Sequence, residues 1–367
     1  MQNLKFDFDD ILIIPQVHTP ITSRYNDITL PKTFPLFTAP MDTVVDLSNL
    51  HKFLDQGIMV CLPRTISIVD ALHELKPKRK DDNLDFLENV FPSIGLDDYE
   101  HLCHNTNVFK FFKNILIDVA NGHMTKKIIH ACWHIKETNP DIKIMVGNIA
   151  NPETYRIYAE CGHVDYIRVG IGNGGGCLTT KQSGVGYPMA SLINDTSWVK
   201  HKMRLENLHK VVPTTLPAIV ADGGMKDYAD IVKSLALGAD FVMLGSIFNK
   251  TLESCAPNYR EFRNGTVNEI DQETAEKLFI RGEEVRKYFR GMSTKGAQKA
   301  MGKTAVKTSE GVERYQMVEY TLSTWVENFN HYLRNAMSYA DAATLDDFIG
   351  KADFCQITTR TYDRFNK

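Results

Sequence analysis

The stretch Tyr166-Ile-Arg-Val-Gly-Ile-Gly-Asn-Gly-Gly-Gly-Cys-Leu-Thr-Thr180 begins as a strand-forming run and breaks at Gly170 into a loop. The loop holds glycines at 170, 172, 174, 175 and 176 and ends on Cys177. Glycine admits positive φ and lets backbone N–H groups come close to an anionic or planar ligand. A thiol on a polar, flexible loop of this kind is a candidate nucleophile rather than core filler.

The same order, an apolar run and then a polar or glycine-rich turn, recurs on both sides of that stretch. Gly57–Leu62, Asn114–Ile117, Ile142–Val146, Ala218–Ala221 and Phe241–Leu244 are further candidate strands, and helical patterns lie at His123–Thr138, Pro152–Cys161 and Met225–Leu237. Near-continuously apolar strands that alternate with helices imply a parallel sheet covered by helices. The strand ends carry Asp118-Val-Ala-Asn-Gly122, Gly147-Asn148, Asp222-Gly-Gly224 and Gly245-Ser246. A doubly wound sheet gathers its ligand turns at one switch point, whereas a barrel brings every such turn to one face. The expected fold is therefore an α/β TIM (β/α)8 barrel, a single catalytic domain over residues 1–367. Residues 64–110 are charged and poor in strand signals, which predicts helix. The long polar segment from Lys250 to Tyr288 reads as a lid or insertion over the site.

Composition narrows the function classes. A hydrophobic share of 43% suits a soluble chain with a sizeable core, and a net charge of −3 argues against a general binder of nucleic acid or anionic membranes. The cluster Lys76-Pro-Lys-Arg-Lys80 reads as a solvated loop. No apolar run reaches membrane-spanning length, and Met1-Gln-Asn-Leu-Lys5 has no signal-peptide core. Seven scattered cysteines without a CxxC pair point to a reducing, cytoplasmic setting with neither a disulfide framework nor a zinc site.

Taken in order, Phe8-Asp-Asp-Ile-Leu-Ile-Ile-Pro15, Ala39-Pro-Met-Asp-Thr-Val44, the cysteine loop, Ser183-Gly-Val-Gly-Tyr-Pro188, Ala221-Asp-Gly-Gly224, Val242-Met-Leu-Gly-Ser246, Phe289-Arg-Gly-Met-Ser293 and Ser309-Glu-Gly311 resemble the IMP dehydrogenase/GMP reductase family over nearly the whole chain. The resemblance implies a barrel enzyme that places a cysteine thiolate on purine C2. Within the family the dehydrogenase branch passes hydride to NAD and hydrolyses the adduct. The reductase branch expels ammonia and then takes hydride from NADPH. Asp118-Val-Ala-Asn-Gly-His123 is similar to the reductase version of its turn, Thr294–Gly302 lacks the Arg-Tyr pair a dehydrogenase uses to activate water, and residues 62–114 leave no room for a tandem regulatory insert. The closer likeness is thus to GMP reductase, with purine salvage as its setting and a homotetramer as the implied assembly.

The resemblance also implies roles. Cys177 attacks C2, and Thr179 with Glu310 moves the proton that lets ammonia leave. An unperturbed thiol, with a pKa of about 8.5, is mostly protonated at neutral pH, so nearby N–H dipoles must raise the thiolate fraction. Asp222 accepts from the ribose diol. Gly223, Gly224, Gly245, Ser246 and Gly175 lie at the phosphate, and Arg290, Gly291, Met292 and Ser293 close around phosphate and base. Asp118, Ala120, Gly122, Lys307 and Ser309 flank the NADPH cofactor, and the carbonyls of Gly170, Gly172 and Gly174 face a monovalent cation such as K+. No GxGxxG fingerprint opens a βαβ unit, which suits a barrel that binds its cofactor across strand-end loops. Lys307 stands where reductases tend to carry an arginine, keeping charge but losing the bidentate fork.

The chain departs from the family pattern at several points. Asn173-Gly-Gly175 replaces Pro-Gly-Ser and removes a serine hydroxyl expected at the phosphate, Leu178 follows the cysteine, Thr180 stands in for a basic residue, and Gly245-Ser246 is closer to the dehydrogenases. These departures open the substrate to GMP, a deoxynucleotide or a modified purine nucleotide. Two alternatives stand beside the reductase: an IMP dehydrogenase, and a purine-nucleotide-binding module without catalysis. Retention of Cys177, Thr179 and Glu310 together argues against the second.

Overall fold

The computed structural model of the chain describes residues 4–75, 85–102, 106–208, 215–262, 265–302 and 311–365. Eight strand positions run in chain order around a parallel barrel: Leu36–Thr38, Val60–Cys61, the pair Val90–Phe91 and Ser93–Ile94 divided at Pro92, Asn114–Asp118, Lys143–Ile149, Tyr166–Val169, Ala218–Asp222 and Phe241–Leu244. Parallel ladders join neighbours from Ser93–Ile94 onwards. The last strand returns onto the first through Val242–Leu36, Met243–Phe37 and Leu244–Thr38. A bridge from Phe37 to Met59 and the pairing of Val60 with Val90 complete the circuit.

The barrel interior is packed, as this fold requires. Phe37, Phe91, Met145, Val220 and Met243 form one buried cluster inside it. The rings of Phe37, Phe91, Tyr166 and Phe241 meet edge to face at 5.3–6.1 Å. Outside, the larger core lies between the strands and the covering helices Thr125–Thr138, Pro152–Cys161, Met189–Asn207 and Tyr228–Ala236. Local chemistry sets their limits. Asn151 accepts from the Glu153 N–H, Pro152 takes the first helical position, and Gly162 ends that helix in the left-handed conformation.

Two expectations need correction or refinement. Residues 64–110 are not all helical: besides Ile68–Leu75 and Leu96–Leu102 they supply the divided third barrel strand around Pro92. Two-residue strand pieces are too short to show a period, and the proline masks them further. The stretch from Lys250 to Tyr288 is also more ordered than a plain loop. Its strands Val267–Ile270 and Asn258–Glu261 join Arg286–Arg290 and Glu313–Met317 in one antiparallel sheet. The helix Gln272–Ile280 packs beside them over Leu252, Ala275, Leu278, Val285 and Val318. Among the described residues no helix is long and apolar enough to cross a membrane, and six cysteines are free. The lysine cluster at 76–80 lies outside the described residues.

Candidate active site

The strand ends converge on a cavity of about 610 Å³ lined from Ala39 round to Gly245 and roofed by the turn Gly291–Ser293. Cys177 stands in its wall, partly buried, with Sγ 3.2 Å from Thr179 Oγ1, to which it donates. Two contacts hold the cysteine loop in shape. The Cys177 N–H reaches back to Gly174 O at 2.9 Å, and Gly176 O accepts from Val312 N–H, which ties the loop to the chain next to Gly311. Thr179 begins the short helix Thr179–Ser183, so thiol and hydroxyl project from adjoining backbone.

The floor is electrostatic. Arg168, 5% exposed, donates to Asp118 Oδ1 at 2.5 Å and to Asp222 Oδ2 at 2.8 Å. Asn148 Nδ2 donates to the same Asp222 oxygen at 2.7 Å and to Gly170 O at 2.9 Å. Burial alone favours the neutral form of an acid or base, but two carboxylates beside one guanidinium keep Arg168 charged and hold its pKa above the ordinary arginine value. Beneath them Cys61 is fully buried, and desolvation pushes its thiol well up, out of nucleophilic range. The thiol of Cys177 is thus the one in the cavity wall, and that of Cys61 is packing.

Close backbone approach explains the glycines. Gly223 has φ of +86°, and a Cβ there would lie 2.8 Å from the Gly174 nitrogen. Gly170, at φ of +132°, leaves no room beside Asp222 O, only 2.3 Å from where its Cβ would stand. Any side chain at either position would part the cysteine loop from the Asp222 turn.

Of the residues expected at the phosphate and base, Gly175, Gly223, Gly245, Gly291, Met292 and Ser293 line the cavity, while Gly224 faces Met189 and Asn173. Ser246 opens the short helix Ser246–Asn249 just behind Gly245. Arg290 is held by Asp42: its Nε donates to Asp42 Oδ1 at 3.2 Å and its Nη2 to the other carboxylate oxygen, a bidentate pair. Asp118 and Ala120, expected on the cofactor side, border the cavity where Arg64 also reaches Asp118 O at 3.5 Å. Gly122 lies just behind, its N–H on Asn148 O. A carboxylate fixed by Arg168 beside an open cleft fits a bound nicotinamide riboside, which would supply hydride. Of the carbonyls assigned to a cation, Gly170 O accepts from Asn148 and Gly174 O from Cys177, each keeping one lone pair. Lys307, Ser309 and Glu310 lie outside the described residues.

Arg168, Asn148, Asp42 and Arg64 were not among the sequence candidates. Arg168 left the clearest signal, a cation inside the apolar run Tyr166–Val169, where a charge must be paired.

Comparison with known proteins gives the same direction. The family model described as "IMP dehydrogenase / GMP reductase domain" matches residues 5–364. The chain is 26% identical to GMP reductase of Onchocerca volvulus, covering 98% of this chain and 93% of that protein. It is 28% identical to GMP reductase 1 of Mus musculus, covering 97% and 96% of the two chains. Identity is also 28% to GMP reductase of Streptococcus agalactiae, with 93% and 92% covered. A match that runs from the first barrel approach to the last helix, on a fold whose strand ends hold the motif residues in one cavity, makes this chain a member of the IMP dehydrogenase/GMP reductase family.

Proposed function

We propose that the chain is an oxidoreductase of the GMP reductase type, converting a guanine nucleotide (GMP or a close analogue) and NADPH to IMP and ammonia. The observation that carries this reading is the Cys177 Sγ–Thr179 Oγ1 contact of 3.2 Å inside a cavity whose floor holds Asp118 and Asp222 on one arginine. The Cys177 thiolate adds to C2, and the former amino group leaves as ammonia after gaining a proton through Thr179, with Glu310 as its relay partner. A reduced nicotinamide held beside Asp118 would supply hydride to C2, letting the C–S bond break and the Cys177 thiolate depart. Asp222 keeps one carboxylate oxygen for Arg168 and Asn148 and the other for the ribose diol. Asp118, also on Arg168, orients the cofactor side, so one guanidinium sets the spacing of both ligands.

The same reading takes residues 1–367 as one cytoplasmic catalytic domain, a homotetramer, with 250–288 as the lid and a monovalent cation near the Gly170–Gly174 carbonyls. The test is turnover by the purified chain. GMP with NADPH should release ammonia, and IMP with NAD should give no XMP at a comparable rate; the reverse result would move the chain to the dehydrogenase branch.

A further inference from the structure

The cations around the cavity are mostly spoken for. Arg168 is shared by Asp118 and Asp222, Arg290 is held by Asp42, and Arg64 is paired with Asp98 at 3.2 Å. Lys287 is fully buried and donates to the carbonyls of Ser254 and Ala256. Arg314 differs from the three arginines in its partners and from Lys287 in being exposed. Among the described residues its partners are neutral: Gln316 Oε1, reached from Nε at 3.3 Å and from Nη2 at 2.9 Å, Gly175 O, reached from Nη1 at 3.3 Å, and the Phe289 ring face at 4.8 Å. Its positive charge therefore has no acidic partner among the described residues.

Its place is fixed by the fold. Arg314 lies directly across the antiparallel ladder from Phe289, which puts the guanidinium over that ring. Gln316, two residues along and on the same face, is buried and donates to Asn249 Oδ1 at 2.7 Å. Asn249 in turn is buried in the short helix that begins at Ser246 and donates to Thr43 O. The arginine is thus braced against the helix that carries Ser246. A guanidinium has five N–H groups, and three are used, so two remain. One point just outside Gly175, where a Cβ would sit, is 3.6 Å from Arg314 Nη2 and 3.9 Å from Ser246 Oγ. Gly175 has no side chain to fill that space.

The geometry points to Arg314 as the cation that meets the substrate's phosphomonoester, with Ser246 Oγ on the other side of the gap left by Gly175. A guanidinium with no acidic partner among the described residues, set beside a hydroxyl and over an aromatic face that excludes water from one side, is suited to a dianionic phosphate and gives nothing to an uncharged nucleoside. The inference rests on the nucleotide reading of the cavity and adds the residue that selects the charged, phosphorylated form.

The test compares Arg314→Gln, Arg314→Lys and Gly175→Val with the parent chain, using inorganic phosphate, GMP and guanosine as calorimetric ligands and GMP turnover as a second readout. Gly175→Val fills the gap without touching the charge, and because Gly175 is not at positive φ the backbone tolerates it. Arg314→Gln should weaken phosphate and GMP binding by about tenfold or more, raise KM for GMP in step, and leave guanosine affinity within about twofold, with Arg314→Lys between. Gly175→Val should weaken the same two ligands with the arginine intact. If Arg314→Gln keeps phosphate and GMP affinity within about twofold of the parent, the assignment is wrong. If phosphate binding depends on Arg314 while GMP and guanosine fail to bind the parent chain, the anion subsite stands and the guanine-nucleotide reading falls.

Discussion

Arg168 and Asp222 meet at 2.8 Å on the floor of the cavity, and the same guanidinium holds Asp118 at 2.5 Å. The side chain belongs to the strand that feeds the cysteine loop, while the two carboxylates end different strands. One residue therefore couples the strand before the cysteine loop to the turns after both carboxylates. Arg168→Met should leave Asp118 and Asp222, both half-buried, without their cation, and breaking a buried ion network from one side costs about 3–5 kcal/mol. Urea unfolding at neutral pH should show that loss. A variant as stable as the parent at neutral pH would mean the network is not what holds the floor.

Cys177→Ala should abolish turnover and preserve nucleotide binding, because the proposed covalent step needs the thiol while its loop is held by backbone contacts to Gly174 and Val312. Binding by calorimetry alongside ammonia release separates the two. Turnover near the parent rate would remove the covalent mechanism.

Thr179→Val and Glu310→Gln should each slow ammonia release strongly, and the double variant should be little worse than either single one. Groups that serve one proton relay lose their effect together. The measurement is a double-mutant cycle on ammonia release. Losses that multiply independently would separate Glu310 from Thr179.

Lys287 gives a pH-dependent prediction. Burial lowers its pKa from 10.5 to about 8. The folded chain then gives up this proton before the unfolded chain does, so between pH 8 and 10.5 the unfolded state binds more protons and stability rises with pH. Compared with Lys287→Met, the parent should gain about 2–3 kcal/mol across that window, followed by denaturant unfolding at each pH. A stability difference that is flat or falls as pH rises would show that the carbonyls of Ser254 and Ala256 outweigh the cost of burial.

Much of the architecture was legible in the residues. Asn114–Ile117, Tyr166–Val169, Ala218–Ala221 and Phe241–Leu244 are long apolar runs bounded by polar turns, and each is a barrel strand. Leu36–Thr38 and Val90–Ile94 escaped because three residues, or two pairs around a proline, carry no period. The long helix Met189–Asn207 was not anticipated either; ten of its residues, including Thr196 and Lys200, are buried, so polar side chains blur its apolar face. At the site, the glycines and Cys177 advertised themselves by type and spacing. The pairing of Arg290 with Asp42 did not, since residues 248 apart in sequence meet only through the folded barrel. Arg314 was invisible for a related reason: what distinguishes it is the lack of a carboxylate partner among the described residues, and that is a property of surroundings.

The seam of the barrel has a consequence for how the molecule is made. Leu36 pairs with Val242, and Thr38 with Leu244, so the first strand waits for its second neighbour until some two hundred further residues are available. During synthesis that strand presents an unsatisfied edge, while Ala39 and Met41, which follow it and line the cavity, have no opposite wall. A chain halted before Phe241 would hold the cysteine loop and the Asp222 turn yet could not enclose a ligand between them. Closure of the ring and birth of the cavity are a single late event, and such long-range pairing folds slowly.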